Sequence, residues 1–253
     1  MMTTPRIAVV TGATSGIGRA TALRLASDGF HVIACGRSIA RGGALISAIE
    51  TAGGSAVFHA FDVTSEVEWA ALAEIIERDH GRFDALVNCA GGFFAKPLLD
   101  TSLEEFRELW RLDVESVLLG TKYALRAMRD THSAGSIINV SSLAGLIALE
   151  DCAAYCAAKA AVTHLSRVAA LEGASFEPPV RVNSLNPGVI WTEMITGSYG
   201  DSDAVRAFAI DGNALQRVGE AEDIAKAASY LAGKLSRMVT GTAMVVDGGR
   251  GAD

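Results

Sequence analysis

The chain has 253 residues, half of them apolar and a fifth charged, and its formal net charge at pH 7 is −7. This composition supports a sizeable hydrophobic core and argues against a disordered chain. The acidic balance and the lack of a basic run argue against nucleic acid as a main partner. No apolar stretch approaches the roughly 18 residues of a membrane span, and no signal peptide is recognisable, so we expect a cytoplasmic protein.

Apolar, strand-like runs alternate with helix-length segments along the whole chain. The predicted strands are 7–11, 31–36, 55–63, 84–90, 135–142, 180–188 and 242–249. The predicted helices are 17–28, 39–52, 65–79, 102–130, 152–175 and 220–233. Buried strands that alternate with helices predict an α/β fold, a doubly wound parallel sheet with helices on both faces. No linker or repeat interrupts the pattern, so we expect one domain over 1–253.

One segment departs from this alternation. Residues 193–214 are polar and contain several glycines and serines. Such a segment beside a site is typical of a mobile lid.

The first predicted strand leads directly into TGATSGIG, residues 11–18, and a helix follows. Glycine at Gly12, Gly16 and Gly18 permits a sharp turn, close approach of a phosphate and tight packing of helix on strand. The amino terminus of the helix then faces a pyrophosphate. Glycines in a tight turn need no ligand, but their place after the first strand favours a dinucleotide.

The end of the second predicted strand indicates which dinucleotide. It has no acid for the ribose 2′-hydroxyl of NAD, and Arg37 and Ser38 stand there instead. Arginine suits a 2′-phosphate, so NADP is favoured over NAD, although a solvated surface arginine is the alternative. Asp62 is placed to bind the adenine amino group, or else serves as an acid before the next helix.

The cysteines and histidines give no sign of a metal site. Cys35, Cys89, Cys152 and Cys156 form no CxxC pair and lie in apolar runs, and the five histidines lack zinc-helix spacing. We therefore expect packed, reduced thiols and no metal.

Five short motifs together resemble the short-chain dehydrogenases/reductases. They are TGATSGIG (11–18), NCAG (88–91), SS (141–142), YCAAK (155–159) and NPG (186–188). The resemblance covers the chain from Arg6 to about Gly249. It implies a Rossmann-type sheet of seven strands, a nicotinamide cofactor, a small-molecule substrate and a homotetramer or dimer.

The reaction centre is expected at Tyr155 and Lys159, four positions apart and so on one face of a helix. A nearby ammonium is expected to lower the pKa of the phenol, making Tyr155 the general acid or base. The resemblance gives Lys159 the nicotinamide ribose hydroxyls. It also gives Ser142, chosen over Ser141 by spacing, the substrate oxygen.

Asp113 departs from the family pattern, which usually has asparagine in a stretch like LxVNxxG. Here the stretch reads RLDVESVLLG. The resemblance implies that the main-chain carbonyl at this position holds a water that relays protons to Lys159. A main-chain role tolerates Asp, but a carboxylate there could raise the pKa of Lys159.

The resemblance also implies two larger sets of residues. The cofactor set is Gly12, Thr14, Ser15, Gly16, Ile17, Gly18, Arg37, Ser38, Asp62, Val63, Asn88, Ala90, Gly91, Tyr155, Lys159, Pro187, Gly188, Ile190 and Thr192. The expected substrate walls are Phe93, Phe94, Leu98, Leu143, Leu149, Ile190, Trp191, Met194, Ile195, Tyr199 and Phe208. These walls are mostly apolar, so a neutral ketone or secondary alcohol is expected.

Three functions remain open from the sequence. The first is an NADP-dependent carbonyl reductase or alcohol dehydrogenase. The second is a 3-oxoacyl-thioester (acyl carrier protein) reductase, for which Arg126 and Arg129 could supply a basic entrance. The third is a non-catalytic NADP-binding sensor, against which the presence of Ser142, Tyr155 and Lys159 argues.

Overall fold

The computed structural model describes residues 5–252, apart from the side chain of Phe208. Within them the strands are β1 (Arg6–Thr11), β2 (Phe30–Gly36), β3 (Ser55–Ala60), β4 (Ala85–Asn88), β5 (Ser136–Val140), β6 (Arg181–Pro187), β7 (Ile190–Trp191), β8 (Gly219–Glu220) and β9 (Ala243–Val246). Seven of these described strands form one parallel sheet in the order β3-β2-β1-β4-β5-β6-β9. The predicted doubly wound parallel sheet is confirmed.

The helices alternate with these strands. They are α1 (Gly16–Ser27), α2 (Ile39–Thr51), α3 (Glu66–His80), α4 (Leu103–Trp110), α5 (Ser116–Asp130), α6 (Ala153–Gly173), α7 (Glu193–Tyr199), α8 (Asp203–Ile210) and α9 (Ala221–Ala232). A π-helical turn, Arg111–Glu115, joins α4 to α5. No described helix meets the length and apolarity that crossing a bilayer requires.

Alternate residues of the strands pack on opposite faces of the sheet. Ala8 and Val10 belong to the core on the side of α1 and α9, whereas Ile7 and Val9 belong to the core on the other side. All four side chains are almost fully buried. Because helices cover both faces, the strands read as continuous apolar runs.

Local capping explains where several elements begin and end. β3 ends at Ala60, earlier than the predicted 63, because Asp62 turns the chain by accepting from the N–H and hydroxyl of Thr64. Ser65 then caps α3. Ser102 caps α4 in a reciprocal pair with Glu105.

The sheet order reverses between β1 and β4, which places a crevice at the carboxyl ends of these strands. The predicted lid, 193–214, lies on the same side and contains the two short helices α7 and α8. Just before it, β7 pairs with β8 in a small parallel sheet that the sequence did not predict.

Candidate functional site

A cavity of about 510 Å³ occupies the crevice. Most of the predicted cofactor and catalytic residues line it, which brings together segments that lie far apart in the chain. They are Gly12, Thr14, Ser15, Gly16, Ile17, Gly18, Arg37, Asp62, Val63, Ala90, Gly91, Ser142, Tyr155, Lys159, Pro187, Gly188, Ile190 and Thr192.

The glycine turn after β1 has no room for side chains. Gly12 has φ +63°, and a Cβ built on it would lie 2.9 Å from Cα of Ala90. A Cβ on Gly18 would overlap the carbonyl oxygen of Gly12. Here the backbone itself forms the surface of the crevice, as close approach to a pyrophosphate requires.

Two predicted cofactor residues are not among the residues lining this cavity. Ser38 caps α2, and its Oγ accepts from the N–H of Arg41 at 3.4 Å. Asn88 is buried and donates to Oδ1 of Asn139 at 2.9 Å, which joins β4 to β5. The structure therefore gives both side chains a local structural contact.

Lys159 forms a buried ion pair with Asp113. Its Nζ lies 3.0 Å from Oδ2 of Asp113, and the two side chains are 7% and 0% exposed. Burial has the largest single effect on the pKa of Lys159 and acts to lower it, but the Asp113 carboxylate and Tyr155 together outweigh burial, so the pKa is raised as expected for a carboxylate at 113. Oδ1 of Asp113 accepts from the N–H of Gly92 at 2.7 Å. The side chain at 113, and not only its main chain, thus belongs to the centre.

The π-helical turn explains how Asp113 reaches this position. The N–H of Ser116 donates to the carbonyl of Arg111, five residues earlier, so the turn holds one residue more than an α-helical turn. Turns of this kind are frequent at functional sites because they reorient one side chain within a continuous helix.

Tyr155 lies beside Lys159 on α6, as the spacing predicted, and the ammonium is 5.5 Å from the centre of its ring. Phe93 packs edge-on against the same ring at 4.9 Å. Burial raises the pKa of Tyr155; Lys159 and a hydrogen bond with Ser142 act to lower it but do not outweigh burial. The expected lowering of this pKa is therefore wrong for this structure, and Asp113 contributes by opposing the ammonium.

The two neighbouring serines have separate contacts. Ser141 is buried, and its Oγ donates to the carbonyl of Lys159 at 2.8 Å, which fixes α6 against the end of β5. Ser142 lines the cavity, and its Oγ accepts from the N–H of Ala144 at 3.1 Å. Ser141 also lines the cavity, but its hydroxyl proton is engaged by the Lys159 carbonyl, whereas the Ser142 hydroxyl only accepts from Ala144 and keeps its own proton to donate.

The other two predicted polar contacts also lie at the crevice. Arg37 is exposed on its wall, at the end of β2. The hydrogen bonds from Thr64 hold the pKa of Asp62 below its ordinary value, so this carboxylate is charged at neutral pH.

The four cysteines are free, and burial raises the pKa of Cys89 to about 12.

The predicted substrate walls are only partly brought together. Met194 and Ile195 line the cavity, and Tyr199 lies 5.7 Å from Phe93, ring to ring. Ile190 lines the cavity as well. The remaining described members are not among its lining residues: Leu143 is buried, Leu149 and Leu98 are exposed, Phe94 is half-buried, and Trp191 packs under Arg206. The Phe208 side chain lies outside the described part of the chain.

Several cavity residues were missed by the sequence reasoning. Glu108, Arg111 and Leu112 line the crevice from the end of α4 and the π-helical turn. Their spacing of three and four residues indicates one helix face and could have suggested them. Glu193, at the start of the lid, also lines the cavity.

Known proteins resemble this chain over nearly its full length. A protein-family model described as enoyl-(acyl carrier protein) reductase matches residues 12–250. The cyclopentanol dehydrogenase of Comamonas sp. (strain NCIMB 9872) is 35% identical over 96% of both chains. The NADP-dependent (R)-specific alcohol dehydrogenase of Lentilactobacillus kefiri is 34% identical, again over 96% of both chains.

A solved structure agrees with these relatives. The short-chain type dehydrogenase/reductase from Mycobacterium marinum has a TM-score of 0.90 and 32% identity, covering 98% of this chain and 96% of its own. The sheet order, the lined crevice and the relatives all point to one family. The chain therefore belongs to the short-chain dehydrogenase/reductase family and is an NAD(P)-dependent oxidoreductase that acts on CH–OH groups.

Proposed function

We propose that the protein transfers a hydride between NADP(H) and a neutral ketone or secondary alcohol. The observation that carries this proposal is the meeting of Ser142, Tyr155 and Lys159 in the crevice that the glycine turn opens. NADP is the favoured cofactor and NAD the alternative. Residues 1–253 act as one catalytic domain, with 193–214 as its lid.

The crevice fits a nicotinamide dinucleotide on its own geometry. No side chain fits at Gly12 or Gly18, so bare backbone forms this part of the crevice wall, and the amino terminus of α1 lines it too. Lys159 is the residue that would hold ribose hydroxyls, and Pro187 and Gly188 would support the nicotinamide. The bound cofactor supplies or accepts the hydride.

The protein's own residues manage the proton. Because the pKa of Tyr155 is raised, its phenol is protonated at neutral pH and suits donation to a carbonyl oxygen. In the opposite direction the phenol must first lose its proton, so alcohol oxidation should rise toward alkaline pH. Ser142 would donate a hydrogen bond to the same substrate oxygen and stabilise its developing charge.

The surroundings of Tyr155 favour a neutral, apolar substrate. Phe93 packs its ring against the phenol, and Met194 lines the same cavity. Two further cations, Lys96 and Arg206, already have partners, since Lys96 pairs with Glu105 at 2.7 Å and Arg206 covers Trp191. The names of the two alcohol-dehydrogenase relatives support the same class.

Oxidation of NADPH with a panel of substrates tests the proposed function. The panel holds cyclic and acyclic ketones, a 3-oxoacyl thioester and a control without substrate. We expect turnover of neutral ketones. The 3-oxoacyl-thioester reductase is the second candidate, which preferential use of the thioester would favour; the matched family model shares with it only an acyl-carrier-protein substrate, because an enoyl reductase reduces a carbon–carbon double bond. Tight NADPH binding without turnover across the panel would favour a sensor.

Arg37 should set the preference for NADPH. Arg37→Gln removes a guanidinium from the end of β2, and a hydrogen bond to a charged group contributes about 1.5–3 kcal/mol. We expect KM for NADPH to rise on the order of tenfold or more while KM for NADH stays constant. Steady-state kinetics with both cofactors measure this. A wild-type preference for NADH would contradict the assignment of Arg37.

We also propose an oligomeric state and a cellular location for the protein. Apolar side chains are exposed on α5 and α6, among them Leu118, Val168 and Leu171. We propose that these helices pair in a homotetramer or dimer. The free, packed thiols agree with a cytoplasmic protein.

A further inference from the structure

An ion pair links the two walls of the crevice near its mouth. Nη1 of Arg41, in the first turn of α2, lies 2.7 Å from Oε2 of Glu193, the first residue of α7. Arg37 directly precedes Ser38, the cap of α2, and Arg41 is the third residue of that helix. Glu193 and Arg37 both line the cavity. The pair therefore stands between the end of β2 and the start of the lid.

The pair is too exposed to act mainly in folding. Its side chains are 55% and 67% exposed, and exposed pairs contribute little to stability. The residue that precedes the lid already lies beside the glycine turn by another route, because a Cβ built on Gly16 would lie 3.3 Å from Cγ2 of Thr192. A role in binding explains its position better than a role in stability.

The chemistry of the two groups suggests that role. A 2′-phosphate held by Arg37 would lie beside the amino terminus of α2, whose first turn carries Arg41. A phosphate offers a guanidinium more negative charge than a carboxylate does. Glu193 presents the nearest anion to Arg41 at 2.7 Å. The Glu193 carboxylate thus binds the Arg41 guanidinium, which would otherwise be available to the phosphate.

We propose that Arg41 is a second specificity-determining residue for the 2′-phosphate, and that Glu193 competes with the phosphate for its guanidinium. This rests on the proposed use of NADP. A 2′-hydroxyl carries no charge and leaves the pair intact. A 2′-phosphate draws Arg41 from Glu193 and frees the start of α7, so the phosphate is sensed at the lid.

Fluorescence titration of NADPH and NADH tests the proposal by binding alone. The proteins are the wild type, Arg41→Gln, Glu193→Gln and the double variant. Arg41→Gln should weaken NADPH binding about tenfold, the loss of one charge-assisted hydrogen bond. Glu193→Gln should tighten NADPH binding severalfold. The double variant should match Arg41→Gln, because Glu193 acts only through Arg41, and NADH affinity should stay constant throughout.

The outcomes separate this proposal from the proposed cofactor. Arg129→Gln, which removes an exposed arginine paired with Asp130 on α5, is the matched control and should change neither affinity. Equal effects on NADPH and NADH, or weaker NADPH binding in Glu193→Gln, would overturn the competition. If the competition is overturned but the wild type prefers NADPH, the assignment of NADP as the cofactor still stands. If the wild type prefers NADH, both the assignment of NADP and the role of Arg41 are overturned.

Discussion

Tyr155→Phe should lower turnover by about 10²- to 10⁴-fold, the contribution of a positioned general acid. The substitution removes only the hydroxyl, and the remaining ring keeps its edge-on contact with Phe93 at 4.9 Å. Affinity for NADPH should therefore stay within about twofold of the wild type. Steady-state kinetics in both directions measure the turnover, and fluorescence titration measures the affinity for NADPH.

A tyrosine far from the crevice provides the control. The hydroxyl of Tyr123 donates to Glu66 at 3.2 Å on the surface of α5. Tyr123→Phe removes the same group and should leave turnover unchanged. Retention of more than a tenth of wild-type turnover by Tyr155→Phe would remove the phenol from the mechanism.

Asp113→Leu should destabilise the protein by about 3–5 kcal/mol, the cost of leaving one member of a buried ion pair alone. Nζ of Lys159 would lose the carboxylate 3.0 Å away, and the N–H of Gly92 would lose its acceptor. Asp113→Asn keeps an oxygen for Gly92 and should cost less. Urea denaturation followed by circular dichroism measures both values.

Asp113→Asn also has a directional effect on the pH profile. The Asp113 carboxylate acts to raise the pKa of Tyr155, so its removal leaves the Lys159 ammonium unopposed and lowers that pKa. The rate of alcohol oxidation should therefore begin to rise at a lower pH than in the wild type, over the pH range in which Lys159 stays protonated. Glu115→Gln removes an exposed carboxylate from the same turn and should not move the profile. An unchanged profile in Asp113→Asn would show that Asp113 is only structural.

Local patterns predicted the fold and most of the crevice. The alternation of apolar runs and helices predicts a parallel sheet, and the carboxyl ends of its strands then meet at one edge. TGATSGIG and the Tyr155–Lys159 spacing each depend on neighbours within one or two turns. The structure places both motifs as predicted, because their local geometry does not depend on contacts with distant parts of the chain.

The rest depends on contacts between distant segments. The family resemblance placed position 113 near Lys159, 46 positions away, but no periodicity in RLDVE indicates the π-helical turn in which Asp113 lies or the direct ion pair that it forms. The sign of the Tyr155 pKa shift depends on burial and on that partner together. The Arg41–Glu193 pair joins residues 152 positions apart. Ion pairs and burial of this kind arise only when distant segments pack together, so short sequence patterns do not predict them.

The π-helical turn gives the long helix a spare residue. Loss of any one residue from Arg111–Glu115 would leave an unbroken α-helix, because the wider turn already contains one more than regular winding needs. The segments before and after the gap would keep their relative register, because the wide turn already accommodates the extra residue. A single-codon deletion next to Asp113 would thus spare the architecture of this helix while removing the turn in which the carboxylate meets its lysine.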